Sequence, residues 1–172
     1  MIIEKLEAGH YAELSPDDLD LVAKMSGIVV TNDPGITTFG LKMNTKKGYT
    51  KDINIRKAIN YAFDYDAMIA VFNGKAILQD SPFPVGLKGH VPTNAYRQDL
   101  AKAKEYMKKA GYPDGGIELE YVYVQGLDSE KNIGLILIDN LAKIGIKAKL
   151  DVKPKSIFFG EVAKGQLEFY LI

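Results

Sequence analysis

Residues 44–74 read NTKKGYTKDINIRKAINYAFDYDAMIAVFNG, and their spacing decides how the rest of the chain is arranged. Ile55, Ala58, Ile59, Ala62 and Phe63 recur at three and four residues, which predicts one apolar stripe along a helix. Asp52 or Asn54 suits the helix start, because a side-chain oxygen there accepts from the free N–H groups of the first turn. Asp64 interrupts the stripe and reads as a second N-cap. Asp66 adds negative charge to the first turn of a short helix running through Met68, Ile69 and Phe72. Gly74 suits the left-handed residue that closes it.

Outward from this stretch, the amino-terminal side offers a helical stub over residues 2–8 ending at Gly9. Ser15-Pro16-Asp17-Asp18 is a helix start, followed by Leu19, Leu21, Val22 and Met25, with Gly27 as the stop. Residues 28–31 and 37–44 read as strands, with Asp33-Pro34-Gly35 as a turn between them. On the carboxyl side, residues 75–98 form a long irregular connection in which Phe83, Val85 and Leu87 are expected to pack. A helix is expected over about 99–110, with Leu100, Ala103, Met107 and Ala110 facing inward. The last third then alternates: a strand over 117–125, a helix over 129–143, a strand over 146–152, a helix capped by Ser156, and a strand from Leu167. That rhythm belongs to an α/β sheet flanked by helices, with crossover connections.

Composition bounds the function. The 172 residues are 47% hydrophobic, enough for one sizeable core. Lys plus Arg and Asp plus Glu are 22 each, so no net field attracts nucleic acid or an anionic membrane. No apolar run approaches the roughly 20 residues that span a bilayer, and no signal segment opens the sequence. There is no cysteine, which excludes disulfides and thiol chemistry. The two histidines, His10 and His90, stand far apart without ligand spacing, so no metal site is expected. Serines 15, 26, 81, 129 and 156 sit at apparent caps or turns, outside any G-x-S-x-G elbow, and no glycine-rich phosphate loop is present. No cofactor, catalytic residue or enzymatic activity is expected.

Asn44-Thr45, Asp52, Arg56, Ala58-Ile59-Asn60-Tyr61-Ala62, Asp64, Asp66 and Ile69 together resemble a motif of the family-5 extracellular solute-binding proteins of ABC transporters. These are the dipeptide- and oligopeptide-binding proteins. Ser81-Pro82-Phe83-Pro84 with Gly86, AKAKEYMKKAGYPDG at 101–115 and LAKIGI at 141–146 match in the same order. The resemblance implies a truncated lobe of the periplasmic-binding-protein kind, type II, here the second (C-terminal) lobe as a single partial domain over 1–172. The absence of a signal and the halt inside the last strand fit such a fragment. It further implies a substrate-binding component, extracytoplasmic and periplasmic or at the cell surface, with a lipoprotein form among the options. Such a protein would capture a peptide or another small solute for an ABC permease. No nucleic-acid partner is implied, and the membrane enters only through an anchor or the permease.

By the same resemblance Phe39 and Lys42 stand where relatives present an aromatic and a polar or charged group to the cleft. Val124, Gln125 and Gly126 stand where backbone or amide groups line it. Ligands of open α/β sheets bind beyond the carboxyl ends of strands, which favours the same places. Tyr121 and Tyr123 are expected in the core, and Arg56 is expected to anchor a neighbouring loop. Two departures stand out: Gly165-Gln166-Leu167-Glu168 replaces the usual G-x-F-D, and Lys155 replaces an aromatic. Two other classes stay open. A transcription regulator could carry the same module for solute sensing, marked by an upstream helix-turn-helix. An unrelated α/β enzyme lobe would need a cluster of titrating residues in a pocket.

Overall fold

Asp52 starts the central helix: its carboxylate accepts the Asn54 N–H at 2.7 Å, and α2 runs Ile53–Ala62. Ile55, Ala58, Ile59 and Ala62 are buried along it, followed by Phe63. Asp64 caps α3 (Tyr65–Ala70) by accepting from the Ala67 N–H at 2.9 Å, with Asp66 in the first turn. The helix stops before Phe72, and a turn with positive φ at Asn73 and Gly74 completes the stretch. Arg56 donates to the carbonyls of Thr50 (2.8 Å) and Lys51 (3.0 Å), the loop anchor expected of it.

The computed structural model describes residues 16–30, 38–81, 83–85, 87–93 and 96–172, without the side chains of residues 16 and 17. The stub at 2–8, the Ser15 cap, the turn at 33–35, His10, Pro82 and Gly86 lie outside the described residues. Within them the order is α1 (Pro16–Val22), β1 (Leu41–Met43), α2, α3, α4 (Leu100–Lys109), β2 (Ile117–Val124), α5 (Asp128–Ala142), β3 (Ile146–Lys153), α6 (Lys155–Ala163) and β4 (Phe169–Leu171). The sheet runs β1-β4-β2-β3. β2 is parallel to both β3 and β4, and β1 is antiparallel to β4.

Alternation in β2 sorts the two faces of this sheet. Ile117, Leu119, Tyr121 and Tyr123 point into a core shared with α2, Ala103 and Met107 of α4, and Ile133, Leu137 and Leu141 of α5. Val122 and Val124 point the other way and meet Phe158 of α6 with Leu167. Each fully buried aliphatic or aromatic side chain of this kind contributes about 1.5–3 kcal/mol. Helices thus cover both faces, and α5 and α6 leave neighbouring strands over opposite sides.

Several local expectations are corrected. Residues 28–30 form no strand: Val29 is 87% exposed, and β propensity without a partner ladder gains nothing. The strand expected over 37–44 shrinks to Leu41–Met43 for the same reason, since β4 offers only three paired residues. Pro154, rather than Ser156, occupies the cap of α6, and its carbonyl accepts the Phe158 N–H at 2.9 Å. Its ring fixes the φ that a helix entry needs. Phe83, Val85 and Leu87 are exposed instead of packed. Their loop is held by polar contacts: His90 Nδ1 lies 2.9 Å from the Phe83 carbonyl, and Thr93 N–H donates to the Asp80 carbonyl at 3.1 Å.

Candidate functional site

The connections that leave the carboxyl ends of β2 and β3 diverge here, because β2 feeds α5 on one face and β3 feeds α6 on the other. Neighbouring strands whose connections diverge in this way leave a crevice at the sheet edge. The turn that begins the divergence runs from Val124 to Leu127, closed by the Leu127 N–H on the Val124 carbonyl at 3.3 Å. Gly126 sits third in it at φ +88°, a conformation that side chains resist. Gln125 extends the ladder one step past β2, its N–H donating to the Lys153 carbonyl at 2.8 Å. The Gln125 side chain and Gly126 are exposed.

Val124 differs from its two neighbours. Its side chain is buried against α6, its carbonyl closes the turn, and its N–H donates to Glu130 Oε2 at 3.0 Å. Val124 therefore supports the turn, and Gln125 with Gly126 presents it. Glu130 lies in the first turn of α5 and is only 5% exposed. Burial pushes its carboxyl above the usual range, while the Val124 N–H pulls the other way. Sequence offered no pointer to Glu130 beyond an acid in a first helical turn.

Phe39 reaches the same edge from β1. Gly40 and Ile172 exchange both backbone hydrogen bonds (3.0 and 3.3 Å), which sets Phe39 at the level where β4 ends. Its ring is 44% exposed and stacks on Phe72, with centroids 5.4 Å apart. Lys42 pairs in register with Tyr170 on the opposite, α6 face. Its ammonium folds back over Gly40, so that a side chain at Gly40 would begin 3.3 Å from Nζ. Lys42 also lines a cavity of about 80 Å³ with Val162, Gly165 and Tyr170. The edge thus gathers an aromatic ring, an amide side chain, an exposed glycine turn and one cation, with Phe39 and Lys42 on opposite sides of it.

Such a set can hold a small molecule by stacking, amide hydrogen bonds and charge, and it contains no nucleophile paired with a base. Among the described residues no group of three or more His, Cys, Asp or Glu could hold a metal ion. No described helix is long and apolar enough to cross a membrane. The class that the fold defines is an α/β sheet flanked by helices, open at its carboxyl edge.

Residues 2–172 match the family described as "Bacterial extracellular solute-binding proteins, family 5 Middle". The chain belongs to that family. It is 32% identical over 96 residues to the glutathione-binding protein GsiB of Pectobacterium atrosepticum, covering 55% of the chain and 19% of that relative. Among solved structures it is similar to the periplasmic binding protein DppA of Helicobacter pylori in complex with the peptide STSA. There the TM-score is 0.84 at 28% identity, over 92% of this chain and 31% of that one. It is also similar to the binding protein AgaA of A. tumefaciens R10 in complex with agropinic acid, with TM-score 0.82, 29% identity, and 93% and 33% coverage. The sequence spans a third or less of the length of these proteins.

Proposed function

We propose that this chain is most of the second, carboxyl-terminal lobe of a solute-binding protein that closes two lobes around a peptide or another small solute. The parent protein acts outside the cytoplasm, in the periplasm or at the cell surface, and hands its cargo to an ABC permease. It binds without catalysing a reaction. The observation carrying this reading is the open carboxyl edge, where Phe39, Gln125 and Gly126 are exposed at the divergence of α5 and α6 in a family-5 fold. Lys42 adds a charge from the far side of the same edge, and Val124 holds the turn in place. A lobe that supplies one wall leaves half of a ligand in water, so convergent groups from a second lobe are needed for affinity.

The test is titration calorimetry with short peptides on these 172 residues and on a two-lobe protein containing them. The expected result is weak or absent binding by the lobe and saturable binding by the two-lobe protein. Tight peptide binding by the lobe alone overturns the shared-cleft reading.

A further inference from the structure

Backbone groups along a strand point alternately to its two neighbours. The Gln125 N–H donates to β3, at the Lys153 carbonyl, so the Val124 N–H points toward β4. β4 does not receive it. The paired residues between β2 and β4 are Tyr121 with Phe169 and Val122 with Tyr170, and no Tyr123–Leu171 rung follows to take it up. The Glu130 carboxylate fills the gap, with Oε2 3.0 Å from the Val124 nitrogen. A second tie runs in reverse: the Tyr121 hydroxyl donates to the Glu130 carbonyl at 3.0 Å. The first turn of α5 is thereby fastened to β2 on both sides of the Gln125–Gly126 corner.

We propose that Glu130 is a positioning residue for the ligand-facing turn. Its carboxylate stands in for a β4 carbonyl at the last rung of β2, keeps β2 and β4 parted at their carboxyl ends, and fixes Gln125 and Gly126 at the edge of the sheet. The word "ligand-facing" rests on the function proposed above; the positioning does not. An apolar residue here would leave a buried N–H without an acceptor. A buried acid is costly to desolvate, and here the cost is offset by a bond that strand pairing does not supply.

The experiment is amide NMR on the chain and its Glu130→Gln and Glu130→Ala variants. In the parent chain the Val124 amide shift should move with pH as the Glu130 carboxylate takes up a proton. Glu130→Gln, whose amide oxygen still accepts, should abolish that movement and keep exchange protection from Val124 to Leu127. Glu130→Ala should speed exchange at those residues by about tenfold or more, as expected for a buried N–H losing its acceptor. Ile146 and Ala148 of β3 should stay protected. A Val124 amide that does not respond to pH, or protection at the turn unchanged in Glu130→Ala, overturns the proposal. So does an equal loss of protection through β2 and β3, because that is destabilisation without positioning. Peptide added to the two-lobe protein separates the two claims: silent Gln125 and Gly126 amides there would remove the ligand while leaving the Glu130 results standing.

Discussion

The two ends of the sheet are built differently. At its amino end, Asn44 donates its side-chain amide to the carbonyls of Gly165 (3.1 Å) and Leu167 (3.0 Å), and its own N–H to Glu168 (2.8 Å). Thr50, fully buried, donates its hydroxyl to the Asn44 carbonyl and its N–H to the Glu168 carboxylate. Arg56 closes the loop from behind. At the carboxyl end, a single turn hydrogen bond of 3.3 Å, one ladder step and the Glu130 carboxylate hold Gln125 and Gly126 at the surface. One end is a clasp and the other an open rim. The residues that made the sequence recognisable, Asn44, Asp52 and Arg56, belong to the clasp. A signature of this kind marks where a fold is stitched, and the proposed ligand-facing turn lies at the opposite end.

The sharpest way to break this contrast is Gly48→Ala. Gly48 has φ +59°, and a Cβ there would collide with the Glu168 carboxylate. The carboxylate must swing away and give up the Thr50 N–H, so the left-handed strain and the lost bond together should cost about 2–4 kcal/mol. Urea unfolding checks it, and a loss below that of the rim variants would erase the distinction between the ends. Thr50→Val comes next. The shape is kept but the donor to the Asn44 carbonyl is lost in a fully buried position, for an expected cost of about 1–3 kcal/mol. A neutral effect in the same unfolding series would mean that the clasp is decoration.

Legibility in the sequence follows the same division. The helices at 53–62 and 100–109 and the long strands at 117–124 and 146–153 announce themselves because their periodicity spans two or more turns or four alternations. Asp52 and Asp64 read as caps because capping is local, and each makes its bond within three residues. Strand length at 28–31 and 37–44 was not legible, because it depends on a partner far along the chain. The entry to α6 was misread because a serine near a helix start looks like a cap, whereas the proline before it already set the turn. Phe39, Gln125 and Gly126 enter the candidate set through resemblance, and all three lie exposed at the carboxyl edge of the sheet. Lys42 lies on the opposite face because one strand residue changes the side. Glu130 could not be seen at all, since its value lies in a missing rung between β2 and β4.

Gly126→Ala tests the rim by the same substitution that strains the clasp. Nothing lies within 4 Å of the added Cβ, so only the backbone at φ +88° resists, at about 1 kcal/mol. Thermal unfolding should place it clearly between Gly48→Ala and the parent chain. A cost equal to that of Gly48→Ala would show that the rim is as tightly packed as the clasp and that the crevice is closed.

Gln125→Ala should be the mildest change in stability and the most informative. The Gln125 side chain is exposed, and its role in the ladder is played by its backbone N–H, which alanine retains. Removing it should therefore move stability by no more than about 0.5 kcal/mol. In a two-lobe protein the proposed function expects the same change to weaken peptide binding measurably, because truncating an amide leaves its hydrogen-bond partner unpaired. Unfolding and calorimetry on one pair of proteins read the two effects separately. A residue that costs stability without touching affinity would put Gln125 with the clasp, and the open end of the sheet would then need another occupant.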